Sequence, residues 1–291
     1  MKLFNFSHPD KNEKAIQQTW EEFRNTLAKG DLSYCDTEKT KQITFLRVFD
    51  DWFHKHDGKR FLTKTIHDLR TGNNTIGRGT ILSPDETPDY ERFLPKSQFI
   101  KNDNRFSPAG TEWLYLAIGP VNSDIAKQCA IHECRAARGN RFGFCSFVLA
   151  PSADDLKIVD LTIANDIAFK DLNQALENYG QTYVQRGIFE FFHEGVSPEE
   201  GRHHEELKAI VLQWSVYTYA KLMSEQLFIP VDATDKRNAY IPFHALAQYF
   251  ISLGFSGIVF NSTVFPKGKN VVLFDKRTAI PTGQIEDIVL I

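Results

Sequence analysis

No CxxC pair, no zinc-type spacing of cysteine and histidine, no GxGxxG, Walker or GxSxG loop and no HExxH helix occurs in these 291 residues. The chain therefore lacks the glycine-rich phosphate cradles of nucleotide-binding folds and the nucleophile elbow of the α/β-hydrolases. Its four cysteines, Cys35, Cys129, Cys134 and Cys145, are too few and too scattered for a disulfide framework. A reducing cytoplasm is the expected setting. No apolar run approaches the roughly 20 residues that cross a bilayer, and the N-terminal MKLFNFSHPDKNEK turns polar after a few residues, so neither membrane insertion nor secretion is expected. An excess of one charge is missing too. Lys+Arg 34 against Asp+Glu 37 leaves a net charge of -3, without the basic footprint of a protein that binds bulk nucleic acid. Neither an internal repeat nor a low-complexity segment is visible.

What is present is core-forming material. Residues are 42% hydrophobic and 13% aromatic, enough for one large domain or two smaller ones. Ile16, Trp20, Phe23 and Leu27 recur at helical spacing, with Asp10 and Glu13 placed as a capping box and Gly30 as the stop. A second, wide-faced helix is expected from Thr37 to Gly58, so residues 1–58 read as a helical module. Strands are expected at 60–66, 80–82, 112–118, 142–150, 156–162, 257–261 and 270–275, and helices at 123–138 and in FHALAQYFISLG. Between them, residues from about 165 to 235 read as a helical insertion, with one helix opening at Ser197 and Pro198. Short strands and helices without regular βαβ alternation give an α+β fold. Residues 59–291 would form its main domain.

One charge in this pattern is out of place. On a wheel of the helix that starts near Ser123, Ile125, Ala126, Cys129, Ala130, Ala136 and Ala137 share an arc, and Glu133 falls in the middle of it. A carboxylate there must be paired, hydrogen-bonded or turned to a cavity. Such residues are enriched at functional sites, although a helix-end glutamate that bends out to solvent fits the wheel equally. Upstream, Arg105 stands in the turn-forming NRFSPAG and Tyr115 in the strand that follows. Arginine offers a planar fork of donors suited to phosphate, tyrosine an aromatic face with a polar tip.

Together, NRFSPAG, WLYLA, IHECR, GFSGIVFNST and NVVLF resemble the RES domain, a family named for its Arg, Glu and Ser. The matching positions are Arg105, Tyr115, Glu133 and Ser262. The resemblance implies an α+β core similar to that of ADP-ribosyltransferases and an activity that consumes NAD, as in toxins paired with Xre-like antitoxins. In such a site Arg105 would grip the pyrophosphate and Tyr115 would pack on the nicotinamide or its ribose. Glu133 would stabilise positive charge at the anomeric carbon, and Ser262 would hold a ribose hydroxyl or the nicotinamide amide. NAD is then the substrate, and no metal is expected. The implied partners are NAD and an Xre-like antitoxin, with a homodimer left open; no membrane and no direct nucleic-acid contact is expected. RES domains also carry an arginine on the first strand. In RFLTKTI, Arg60 or Lys64 is the candidate for it.

Other readings remain beside this one. The acceptor for the ribosyl group is water first, with phosphate or a protein side chain as alternatives, and a nucleotide-binding module without turnover is a third. Arg47 and His54, seven apart on one helix, resemble the Arg and His pair of HEPN ribonucleases, which would use them as charge stabiliser and acid or base. His193, His203, His204 and Glu205 form the richest histidine patch. Adjacent histidines point to different sides of a helix, so they read as a solvated helix start before a metal site.

Overall fold

The structure, a computed structural model, describes residues 9–55, 58–163 and 236–291, with 217, 220, 221, 224 and 225 between them. Its first helix, α1 (Pro9–Ala28), begins one residue ahead of the cap expected at Asp10 and ends short of Gly30. The φ of +81° at Gly30 is one that glycine adopts without a Cβ penalty. The stripe Ile16, Phe23 and Leu27 is buried, and Trp20 sets its edge against Phe45, 4.9 Å between centroids. The helix expected from Thr37 to Gly58 is broken into α2 (Thr37–Thr40), α3 (Thr44–Lys55) and α4 (Gly58–Leu62). Local hydrogen bonds explain the first break. Asp36 caps the Lys39 N–H, the Thr40 hydroxyl donates to the Thr37 carbonyl, and i to i−3 bonds tighten the chain at Gln42 and Ile43.

Strand β1 (Thr63–Thr65) is three residues long, because Arg60 to Leu62 of the stretch expected to be extended belong to α4 and Ile66 opens the next helix. After α5 (Ile66–Thr71) comes β2 (Asn74–Leu82), nine residues where a short strand at 80–82 was expected. Its glycines hid it. A Cβ on Gly77 would lie 2.3 Å from the Phe144 ring and one on Gly79 2.1 Å from the Phe142 ring. These glycines make room for aromatic rings and mark no turn. Then follow β3 (Leu114–Pro120), α6 (Ile125–Glu133), β4 (Arg141–Leu149), β5 (Lys157–Asp160), α7 (Lys236–Ser252), β6 (Gly257–Asn261) and β7 (Lys269–Leu273). A last strand, β8 (Ala279–Val289), is absent from the sequence reading. It carries Pro281 and a left-handed Gly283 at φ +71° and lies at the sheet edge, where alternation is relaxed.

The eight strands among the described residues form one sheet in the order β1-β5-β6-β7-β3-β2-β4-β8, in which only β5 and β6 run parallel. The α+β expectation holds. One irregularity in the ladder positions everything that follows. β2 pairs with β3 from Asn74–Pro120 to Gly77–Ala117, then with β4 from Gly77–Ser146 to Leu82–Arg141, while β3 continues along β7 to Leu114–Leu273. Beyond Gly77 the two central strands therefore part. α6 lies across both of them, on Ala117, Phe142 and Phe144. On the same face of the sheet α1, α3 and α7 share a single apolar cluster with Val159, Ile258, Phe260 and Val272. The expected insertion at about 165–235 lies almost wholly outside the described residues. No helix among the described residues is long and apolar enough to cross a membrane.

α6 reaches β3 so closely because Gly119 has no side chain: a Cβ there would stand 2.6 Å from the Ala126 backbone nitrogen. Backbone cannot rotate away as a side chain can. Gly119→Ala should therefore destabilise the fold by about 1–3 kcal/mol, measured by urea denaturation, whereas an unchanged midpoint would mean that α6 is loosely seated.

Candidate active site

Glu133 is the last residue of α6. The helix was expected to run to Arg138, but Cys134 caps it and Arg135 turns left-handed at φ +52°. The Arg135 N–H donates to the His132 carbonyl and the Ala136 N–H to that of Ile131, which is the Schellman stop with arginine in the place glycine usually holds. Ending there lifts Glu133 out of the buried arc of Ala126, Cys129 and Ala130 and leaves it exposed. Its carboxylate is nonetheless held. Ser262 Oγ and Asn270 Nδ2 both donate to Oε1, each at 2.7 Å.

Ser262 itself is buried. Its Oγ also accepts the N–H groups of Val264 and Phe265, at 3.3 and 3.1 Å, shaping the turn after β6. Arg105 comes from the loop before β3 and is 9% exposed. One of its nitrogens donates to Thr263 Oγ1 at 3.0 Å, and its guanidinium lies over Phe243 and Tyr240 at 5.0 and 5.5 Å. Burial lowers its pKa, with Tyr240, Glu133 and Tyr115 opposing. The loop is pinned at two more points. Tyr115 Oη accepts the Phe106 N–H and shares a hydrogen bond with Ser107 Oγ, and His244 Nε2 of α7 lies 3.0 Å from the Asn104 carbonyl. A carbonyl only accepts, so Nε2 carries the proton. Burial raises the Tyr115 pKa, which keeps its phenol protonated.

These residues surround a cavity of about 390 Å³ that opens where β2 and β3 part, and Arg105, Tyr115, Glu133, Thr263 and Asn270 line it. Small-molecule sites fall in this size range. Arg78 of β2 lines it as well, and its Nη1 is shut off from solvent without a hydrogen-bond partner among the described residues. Burial lowers its pKa, partly offset by Cys134. A guanidinium left unpaired in a protein is destabilising unless a ligand completes it. Burial also pushes the Cys134 thiol up to about 11, and the thiol donates to the Gly79 carbonyl at 3.3 Å. That bond ties the end of α6 to the departing half of β2.

Arg105, Tyr115, Glu133 and Ser262, far apart in sequence, thus come together. Neither candidate for the first-strand arginine joins them. Arg60 lies on α4 against the Phe61 ring, and Lys64 pairs with Asp160 at 2.5 Å. Arg78 of β2 lines the cavity instead. Arg47 is exposed on α3, and His54 turns Nδ1 to the Asp50 carbonyl of its own helix at 3.0 Å. Neither lines the cavity. His193, His203, His204 and Glu205 lie outside the described residues. Sequence reasoning missed Arg78, Tyr240, Thr263 and Asn270. The GRG of β2 was the available signal for Arg78, once its glycines are read as ring seats.

The family model of the RES domain matches residues 86–289, most of the chain. No curated protein and no solved structure matches it. Arg78 lies upstream of the matched segment.

His244 allows a test of the loop's anchoring. Burial lowers its pKa, with the Asn104 hydrogen bond and Asp103 opposing. A histidine depressed when folded binds fewer protons than when unfolded, so stability falls as pH drops below its ordinary value of about 6.5. His244→Gln keeps a donor for the Asn104 carbonyl and removes the titration. Its melting temperature should fall less than that of the wild type between pH 7 and pH 5, and parallel curves would show that His244 does not titrate with unfolding.

Proposed function

Since the chain belongs to the RES domain family, we propose that it cleaves the glycosidic bond between ribose and nicotinamide in NAD, on a core of ADP-ribosyltransferase type. What carries this reading is the meeting, in one cavity, of a carboxylate held by one oxygen, the buried guanidinium of Arg105 and that of Arg78, one nitrogen of which is shut off from water. The guanidiniums suit a diphosphate, the most charged part of a dinucleotide. Arg105 is braced by Thr263 and two aromatic rings, and Arg78 brings an unpaired donor. Tyr115 holds the Arg105 loop through its hydroxyl and keeps its ring for the nicotinamide end.

When the bond from C1′ to the pyridinium nitrogen breaks, its electron pair leaves with nicotinamide, which becomes neutral, and positive charge develops on the ribose. Glu133, fixed beside that carbon, stabilises the charge more in the transition state than in the ground state. A water oxygen then bonds to C1′ and loses a proton, giving ADP-ribose. Phosphate or a protein side chain could replace water as acceptor. Depletion of NAD would make the protein a growth-inhibiting effector, and an Xre-like antitoxin is the partner such an effector calls for.

The test is to incubate the protein with NAD, with and without phosphate, and to separate the products. Nicotinamide release is expected, and the second product names the acceptor. Glu133→Gln should lower kcat by about 10²–10³-fold with little change in NAD affinity, whereas Arg105→Ala should weaken binding. Arg78→Met should weaken binding as well, yet leave the fold unchanged or more stable by up to about 1 kcal/mol, since it removes a buried donor without a partner. Release of nicotinamide that survives in Glu133→Gln would place the chemistry elsewhere.

A further inference from the structure

A glutamate at the end of a helix has three rotatable bonds, and either oxygen of its carboxylate could face a ligand. Here the two are not equivalent. Both donors, Ser262 Oγ and Asn270 Nδ2, converge on Oε1, and Oε2 receives no hydrogen bond among the described residues. Asn270 is 6% exposed and sits in the interior of the sheet, with Phe260 of β6 on one side and Ala117 of β3 on the other. A carboxylate only accepts, so the amide must turn its NH2 group to Glu133. The other end of the amide has its own partner: Cys129 Sγ of α6 lies 3.5 Å from Oδ1. Burial pushes that thiol up to about 12, which keeps it a donor. The fit is close, because a Cβ on Gly268 would come within 2.5 Å of the same sulfur. The turn between β6 and β7 therefore closes directly on Cys129.

We propose that Asn270, its amide oriented by Cys129, is a positioning residue that locks Oε1 of Glu133 together with Ser262 and so dedicates Oε2 to the ligand. This rests on the NAD-cleaving reading, and it explains how an exposed carboxylate keeps one direction without a cation bound to it. Other titratable groups near the carboxylate are Arg105 from the loop before β3 and Cys129 and Cys134 from α6 and its cap.

Asn270→Asp tests it. The introduced carboxyl can keep the contact only while it holds a proton, since two carboxylates cannot share that position ionised. Activity should approach that of the wild type at low pH and fall as pH rises, an alkaline limb that the wild type lacks, with KM little changed on the acid side. Asn270→Ala should lose roughly 10²-fold in kcat at every pH, the scale of a misplaced reacting group. Cys129→Ala should lower kcat with KM unchanged, and Cys129→Ser should restore it. Infrared spectra of the unliganded Asn270→Asp protein should show a protonated carboxyl at neutral pH that Asn270→Ala lacks. That readout separates the two claims: a wild type that releases no nicotinamide overturns the functional reading, while absence of the carboxyl band overturns the contact itself. A pH profile of Asn270→Asp parallel to the wild type, or full kcat in Asn270→Ala, overturns the positioning role.

Discussion

The parting of β2 from β3 beyond Gly77 and Ala117 is the constraint on which the site depends. Strands that stop pairing in the middle of a sheet give up ladder hydrogen bonds, and each half needs another hold. β2 finds it on β4, with the rings of Phe142 and Phe144 seated against its glycines. β3 finds it on β7. α6 spans the gap, close to Gly119 at its start and tied by Cys134 to the Gly79 carbonyl at its end. The opening so held is the cavity, and the helix that bridges it delivers Glu133 to its rim.

Several features around this cavity cost stability. Arg78 has a sealed and unpartnered nitrogen, and Arg105 is largely withdrawn from water. Arg135 takes a left-handed backbone two residues beyond Glu133, which for a residue with a Cβ is strained by about 1–2 kcal/mol. Destabilising features that gather in one place are a recurring mark of functional sites.

The N-terminal helices bear on this site through α7. Phe49 and Phe53 of α3 pack on Tyr249 and Phe250, and the Tyr249 hydroxyl donates to Asp50 at 2.6 Å. Trp20 of α1 meets Phe243. The same helix supplies Phe243 and Tyr240 beneath the Arg105 guanidinium and His244 beneath its loop. The aromatic core of the first helices is thus continuous with the support of a charged residue in the cavity.

Much of this was legible in the sequence. Periodicity located α1 and α3, each with one face in an apolar core, and short apolar runs located β3, β4, β6 and β7, most of whose residues are buried; both patterns are local. Order and context of short motifs singled out Arg105, Tyr115, Glu133 and Ser262. The sequence revealed only the end of β2, at 80–82, because the glycines before it answer to rings on another strand, and it missed β8, an edge strand with little alternation. Nor could it place Arg78, because a lone arginine between glycines acquires meaning only when the strand beside it departs. The wheel that marked Glu133 assumed a helix running to Arg138. In the folded chain the helix stops at Glu133, and what makes the carboxylate special is two donors from strands and turns more than 120 residues further along. Residue type and local period determined which groups could do chemistry, whereas the strand divergence and long-range hydrogen bonds decided which of them meet, since those contacts leave no trace in sequence spacing.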